Sequence, residues 1–499
     1  MKPASSASCS PPEAARAGRR ALILLAAVVV SAAGYLLASA LTLRLGFPLD
    51  DSWIHQTYAR NLALRGEWAF VPGEPSGGST APLWTALLAI GFWLHLSPYA
   101  WTYLLGAVLL FVLAFQVEVH LRRLVERYRS AIPWAGLLIV FEWHLGWAAF
   151  SGMETLLHAL LIFQVLTGLM AAGRRHWLGL GILTGISLWV RPDGLTLLGP
   201  LLFAALLTER GWRLRWRALA SALLGFALFL ALYLLFNLTL TGAVMPNTFY
   251  AKQAEYASWQ ARPLGERLGE VGLQFLSGPS LILLPGFILA AASAIRRRDG
   301  GQIAALLWMF GYLALYLMRL PAYQHGRYYM PAMPVYFFFG MTGCLGWLGG
   351  EPLWRGTHWR LRAVWAASLL LVGAAFWGLG IRAYGEDVRF IETDMVETAR
   401  WMAANLSPDS LVAVHDIGAV GYFAERRLVD LAGLVSPEVI PFIRDEERLA
   451  AYLDARGVDY LVAFPDWYPL LTSGLPPVFV AGSPGDEAVH MTVYRWRGR

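Results

Sequence analysis

Two adjacent carboxylates, Asp50 and Asp51, open the stretch Asp50-Asp51-Ser52-Trp53-Ile54-His55, with Tyr58, Arg60 and Asn61 close behind. They follow directly on an apolar run over 21–43, and acidic groups beside hydrocarbon are costly and tend to be kept for use. Capping a surface helix over 52–64 would explain one of them. It leaves the other unexplained. An isolated Asp titrates near 3.9 and is a poor base at neutral pH, but a neighbouring carboxylate or partial burial raises one of a pair. The two together suit removal of a proton.

Further along, Glu74 sits in the Gly- and Pro-rich loop from Phe70 to Trp84, whose plain reading is a turn. Ser151-Gly-Met-Glu154-Thr and Arg191-Pro-Asp193-Gly lie at expected ends of apolar runs. Glu154 and Arg191 read either as interfacial anchors or a structural ion pair, or as substrate contacts together with Asp193. Asn247, Tyr250 and Lys252 in Met245-Pro-Asn-Thr-Phe-Tyr-Ala-Lys252, and His325 and Arg327 in Gln324-His-Gly-Arg-Tyr-Tyr-Met-Pro331, set cations beside aromatic rings. Arginine suits phosphate through its rigid fork of donors, and the competing reading is snorkelling at an interface.

These residues must be held by a membrane framework. Of 499 residues 57% are hydrophobic and 15% charged, where a soluble chain carries roughly a quarter charged. Apolar segments recur over about 21–43, 81–97, 100–119, 131–149, 154–172, 176–190, 194–208, 217–240, 278–296, 302–319, 330–348 and 362–382, many near the ~20 residues that cross the bilayer as helix. Twenty-two tryptophans fit two interfaces to line. The formal charge of +6 lies in short clusters between apolar runs rather than on one soluble surface, which excludes nucleic acid as partner. Cys9 and Cys344 give neither a disulfide framework nor metal-ligand spacing.

The connections are of two kinds. Arg122-Arg123 with Arg127 and Arg129, Arg174-Arg175, Arg210 to Arg217, Arg296 to Arg298, and Arg355 to Arg362 are basic. The loops 44–80, 151–154, 191–194, 241–277 and 320–329 are rich in Gly, Pro, Tyr and polar residues. Placing the basic set in the cytoplasm puts every candidate residue outside. The polar stretch 1–20 is then cytoplasmic and 21–43 a first span, with a cleaved signal peptide as the rival reading. Residues 81–97 and 100–119 both lie between an outer loop and the basic Arg122 cluster, so either one of them re-enters or lies in the interface, or that cluster departs from the rule and twelve or thirteen spans result. About eleven spans are expected, with eleven to thirteen in range. The expected fold is an α-helical polytopic membrane protein with a small C-terminal extracytoplasmic α/β domain. Residues 1–20 form the cytoplasmic N-terminus, 21–384 the membrane domain with its first outer loop at 44–80, and 385–499 the α/β domain. In that last part a helix over 390–406, strands near 411–415, 428–431 and 460–464, and a helix over 446–456 are predicted. His415 and Asp416 fall at the end of a strand, where α/β sheets usually meet ligands, although a packed structural histidine is the plainer reading. If the tail folds over the cavity mouth, they would face the acceptor.

Carboxylates, phosphate-friendly cations and aromatic rings on one face of one membrane are what transfer of a sugar from a lipid phosphate to a hydroxyl requires. A base contributes roughly 10²–10⁴-fold, and cations stabilise the departing phosphate. The stretch from Asp50 to Glu74, then Ser79-Thr-Ala-Pro-Leu-Trp84, resembles the first outer loop of fold C membrane glycosyltransferases, most of all the terminal β-(1→2) arabinofuranosyltransferase-like group. The blocks around Met153, Arg191, Asn247, Arg327 and His415-Asp-Ile-Gly-Ala-Val-Gly-Tyr-Phe423 are similar to blocks of that group too. Ser52-Trp53 and Ser76-Gly77-Gly78 depart from its usual pattern. The resemblance implies an inverting transferase using a polyprenyl-phosphate sugar (arabinofuranose, mannose or similar), with the catalytic base in the Asp50–Asp51 pair.

The expectation is therefore transfer from such a donor to a cell-envelope glycan or lipid hydroxyl, outside the cell (inner) membrane. Asp50 is expected as base and Asp51 as the group orienting base or acceptor. Lys252, His325 and Arg327 are expected on the donor phosphate. His55, Tyr58, Arg60, Glu74, Glu154, Arg191, Asp193, Asn247, Tyr250, His415 and Asp416 are expected on substrate. No cofactor is required, and the carboxylate pair could accommodate a divalent cation. A transporter of a lipid-linked or anionic substrate is one alternative, though it should show related halves or matching broken helices, and none are visible. A non-catalytic envelope-assembly scaffold is the other, and it would need neither carboxylate.

Overall fold

A computed structural model describes residues 11–128, 130–171, 175–348, 358–482 and 489–496. Cys9, Arg129, Arg174 and Arg355 lie outside them. The chain is a multi-pass α-helical membrane protein carrying a small C-terminal sheet. After α1 (Pro11–Thr42) come α2 (Asp51–Arg65), a hairpin of β1 (Ala69–Val71) and β2 (Glu74–Pro75), and α3 (Pro82–Trp93). Then follow α4 (Pro98–Leu124), α5 (Trp134–Phe141), α6 (Trp143–Phe150), α7 (Thr155–Met170), α8 (Trp177–Val190), α9 (Leu198–Thr208) and α10 (Trp212–Thr241). α11 (Asn247–Glu255) and α12 (Leu264–Leu276) fold within the long loop over 241–277, and α13 (Pro279–Arg297), α14 (Gly300–Arg319), α15 (Met333–Leu348) and α16 (His358–Phe390) complete the helical part.

Six helices among the described residues are long and apolar enough to cross a membrane: those beginning at Ala15, Pro98, Trp212, Pro279, Gly300 and Arg360. α3, with 12 residues, rises only about 18 Å at 1.5 Å per residue, well short of the ~30 Å hydrocarbon layer. It packs its Trp84 and Leu88 against α2 instead. The apolar run over 131–149, expected as one segment, is broken at Glu142. That residue is extended (φ −72°, ψ 119°), and its side chain accepts from Leu145 N at 3.0 Å to start α6. A carboxylate inside an apolar run has few partners, and a helix N-terminus is a ready one.

α16 continues without interruption through a π-helical turn over Ile391–Val396 into α17 (Glu397–Asn405). The turn aims two buried acids at partners. Glu392 Oε2 receives Arg44 Nε at 2.5 Å, and Asp394 Oδ1 accepts from Met491 N at 3.1 Å. Beyond it lie β3 (Leu411–Val414), β4 (Arg427–Asp430), α18 (Glu446–Arg456), β5 (Tyr460–Ala463), β6 (Pro477–Val480) and β7 (Thr492–Arg495). The sheet order is β4-β3-β5-β7-β6, with β3 parallel to β4 and β5, and β7 antiparallel to β5 and β6. The three predicted strands are its parallel core, where every residue of β3 is buried. β6 and β7 escaped prediction, one being opened by a proline, the other running into basic residues at Arg495.

Candidate active site

α2 begins at Asp51 and ends at Gly66, whose left-handed φ of 70° lets its N–H return to Leu62 O. Successive residues on a helix point about 100° apart, so Asp50 and Asp51 cannot face the same space. Asp51, Ile54 and His55 share one face and line a cavity of about 450 Å³. Its remaining wall comes from Gly78 and Thr80, Met153-Glu154 just before α7, the Arg191–Asp193 turn, α11, the end of α14, Arg327-Tyr328 and, from the tail, Leu434. Four cationic side chains (Arg191, Lys252, Arg319, Arg327) and three carboxylates (Asp51, Glu154, Asp193) meet there. The excess is positive, which favours an anion.

Arg327 Nη2 donates to Asp51 Oδ2 at 2.5 Å and to the Tyr328 hydroxyl at 3.0 Å, while Lys252 Nζ donates to the same hydroxyl at 2.7 Å. Arg327 Nε and Nη1 are buried and have no hydrogen-bond partner among the described residues. Burial would raise the Asp51 carboxyl, but the charges of Arg327 and Lys252 outweigh it and hold the group well below the usual carboxylate range.

Asp50 is turned the other way and does not line the cavity. Its Oδ2 accepts from Gly418 N and its Oδ1 from Ala419 N, both at 2.7 Å, joining α2 to the short helical turn after β3. A Cβ on Gly418 would overlap the Asp50 backbone oxygen, so only glycine allows this approach. Burial and then the charge of Asp416 push the Asp50 carboxyl upward, against the two amide hydrogen bonds. Of the pair expected as base and orienting group, Asp51 lines the cavity and Asp50 does not.

A second group runs along the cavity floor. Arg191 donates to Asp193 Oδ1 at 3.0 Å, to Glu154 Oε1 at 2.8 Å and to the Tyr316 hydroxyl at 3.2 Å. Tyr312 and Tyr316 both donate to Asp193 Oδ2, at 2.8 and 2.6 Å. His55 Nε2 lies 3.5 Å from Glu154 Oε2, and its Nδ1 is 3.2 Å from both Thr85 Oγ1 and Ser79 Oγ. Glu154, Arg191 and Asp193 are therefore an ion-paired network that also faces the cavity, so the structural and the substrate readings coexist.

Other singled-out residues lie elsewhere. His325, in left-handed backbone at φ 57°, has Nε2 2.8 Å from Asp387 Oδ2, and its ring packs on Trp143 and Trp147. It does not line the cavity with Arg327. The Tyr58 hydroxyl is 2.7 Å from Ser76 Oγ and accepts from Gly78 N at 2.9 Å. Arg60 donates to Tyr422 O at 2.9 Å and pairs with Glu425 at 2.8 Å. Glu74 is exposed, and so is Tyr250. Asn247 donates to Leu434 O at 3.2 Å. His415 Nδ1 is 2.6 Å from the Tyr468 hydroxyl, with Nε2 3.6 Å from Glu255 Oε1. Asp416 Oδ2 is buried without a hydrogen-bond partner among the described residues.

Sequence reasoning passed over Arg319, which lines the cavity with its guanidinium 6.0 Å from the Phe249 ring, and Tyr328, on which Lys252 and Arg327 converge. Arg319 ends an apolar helix on the face of the Gly/Pro-rich loops, against the trend of the basic clusters, and that was the available signal. Among the described residues no group of three or more His, Cys, Asp or Glu side chains is arranged to hold a metal ion.

Residues 381–494 match a family model described only as a domain of unknown function (DUF8728). No curated protein sequence matches the chain. Among solved structures it is similar to ArnT from Cupriavidus metallidurans bound to undecaprenyl phosphate, at a TM-score of 0.59 and 15% identity, over 94% of this chain and 97% of that one. The apo state of ArnT gives a TM-score of 0.54 at 14% identity, over 94% and 97%. A mutant of the arabinofuranosyltransferase AftD from Mycobacteria gives 0.50 at 16% identity, over 95% of this chain and 41% of that longer one. The overall architecture is the fold C one.

Proposed function

We propose that this protein is an inverting glycosyltransferase that moves a sugar from a polyprenyl phosphate to a hydroxyl of a cell-envelope glycan or lipid, on the extracytoplasmic side of the cell membrane. The observation that carries the reading is the contact between Asp51 and Arg327: a half-buried carboxylate 2.5 Å from a buried guanidinium whose Nε and Nη1 have no hydrogen-bond partner among the described residues. A proton acceptor and an anion site share one small cavity at the outer ends of the helices. The fold adds support, since the similar ArnT structure holds undecaprenyl phosphate.

In this reading the donor phosphate sits on the free edge of Arg327, with Lys252 and Arg319 beside it. Drawing Arg327 toward phosphate loosens its hold on Asp51, whose proton affinity then rises toward what a base needs. The acceptor oxygen attacks the anomeric carbon as Asp51 takes its proton. The bond from that carbon to the phosphate oxygen breaks, and its electron pair stays on the phosphate, where the cations stabilise it. Configuration inverts because attack and departure are on opposite faces. The Glu154–Arg191–Asp193 network and His55 meet the sugar hydroxyls, and Asp416, electrostatically coupled to Asp51, faces the acceptor. No cofactor enters these steps.

The test is turnover of purified protein with a panel of polyprenyl-phosphate sugars. Transfer from at least one donor, lost in Asp51→Asn while binding of the lipid phosphate persists, is the expected result. Full activity in Asp51→Asn would overturn the proposal.

A further inference from the structure

A second cavity, of about 780 Å³, shares no lining residue with the first and opens between α1, α5, α15 and α16. Most of its wall is apolar. Arg127 and Arg362 stand at one end, with Tyr128 beside them, and Trp377 lies at the other, its ring 5.2 Å from that of Phe141. Arg362 and Trp377 are 15 positions apart on one helix, about 22 Å along its axis. That is more than one leaflet's share of the ~30 Å hydrocarbon layer, so the groove runs from headgroup depth into the middle of the bilayer.

Its charged end is built rather than incidental. Arg122 Nε donates to Glu118 at 2.6 Å and Arg122 Nη2 to Ser130 O at 2.7 Å, while the Tyr128 hydroxyl donates to Glu118 at 3.4 Å. These bonds fix the turn that presents Arg127. Trp365, one helical turn from Arg362 toward the apolar interior, has its indole Nε1 buried without a hydrogen-bond partner among the described residues. An indole N–H left without an acceptor away from water is costly, so a ligand that brings an acceptor to that depth is favoured.

We infer that this groove binds one anionic diacyl phospholipid. The headgroup phosphate lies on Arg127 and Arg362, an ester carbonyl accepts from Trp365 Nε1 a turn below it, and an acyl chain fills the apolar length to Trp377. Both arginines belong to the basic loops, so on the membrane orientation of the proposed function the site faces the cytoplasmic leaflet, where anionic lipids concentrate and basic interhelical pockets collect them. The chemistry of the proposed transfer is not involved, and the two can fail separately.

Native mass spectrometry of the full-length protein in detergent, titrated with phosphatidylglycerol and separately with phosphatidylcholine of the same chains, tests the site. One phosphatidylglycerol should be retained at a concentration at least tenfold below that needed for phosphatidylcholine. Arg127→Gln with Arg362→Gln should erase the preference, and Ala374→Trp, which fills the groove, should remove retention of both lipids. Thermal unfolding in detergent alone identifies a misfolded variant, and the single Arg362→Gln then replaces it, with a smaller loss expected. Equal retention of the two lipids by the parent protein overturns the proposal, as does unchanged phosphatidylglycerol binding in the variants.

Discussion

Arg327 Nη2 lies 2.5 Å from Asp51 Oδ2 although the two residues are 276 positions apart in sequence. The pair sets the resting charge of the candidate site. Asp51→Asn removes the proposed proton acceptor and should lower turnover roughly 10²–10⁴-fold. Arg327→Lys keeps the charge but loses the fork and should lower turnover roughly 10²–10³-fold, as for one lost donor to a developing anion. Single-turnover measurements on a polyprenyl-phosphate sugar check both. Parental rates in either variant would remove that residue from the chemistry.

Asp50→Asn should behave differently. One of the amides of Gly418 and Ala419 would then face a side-chain NH₂ in place of an acceptor, at a cost of about 1–3 kcal/mol. Gly418→Ala should be at least as damaging, because its methyl group meets the Asp50 backbone. The readouts are thermal unfolding and protease sensitivity of the tail, with turnover per folded molecule changed only a few-fold. Should Asp50→Asn abolish turnover in a protein as stable as the parent, Asp50 is the base.

Stability of the docked tail should depend on pH through His415. Burial would lower this imidazole, but Tyr468, Glu255 and Asp416 outweigh it and hold it well above its ordinary value. A group raised in the folded state stabilises fully below its unfolded value near 6.5 and loses that contribution as pH climbs toward the folded value. The melting temperature should therefore fall as pH rises from 6.5 upward, and His415→Gln should flatten that slope. Identical slopes for parent and variant between pH 6.5 and 9 would rule this out.

Orientation is open to a direct check. In a background lacking Cys9 and Cys344, Tyr250→Cys and Arg210→Cys place single thiols at exposed positions in loops of opposite kind. An impermeant thiol reagent applied to intact cells should label position 250 and spare 210. The reverse pattern would invert the protein in the membrane and move the proposed reaction to the other side.

Much of this was legible from residue types. The apolar runs gave the helices, and the short unbroken apolar runs Leu411–Val414 and Tyr460–Ala463 gave β3 and β5, because burial on both faces leaves an uninterrupted hydrophobic stretch. The cavity's charged residues were nearly all in the motifs first noticed. The division of labour between Asp50 and Asp51 was not legible, since it depends on where a helix starts and on a glycine 368 positions later. Nor was the place of His325, which stands two residues from Arg327 yet bonds Asp387 because the backbone turns left-handed at Gln324 and His325. The break at Glu142 was missed because an acid among apolar residues reads equally as a membrane charge or as a cap.

The bonds from Asp50 to Gly418 and Ala419 also order events in time. A ribosome that has added Asp50 must add 368 further residues before its partner exists, roughly 20–70 s at 5–20 residues per second. Leu434, which completes the cavity wall, arrives later still. Until then Asp51 faces a space open on one side, with nothing to exclude water. On the proposed function, a chain that stops before residue 418 would have neither the amides that hold Asp50 nor the Leu434 wall of the cavity, and would transfer no sugar.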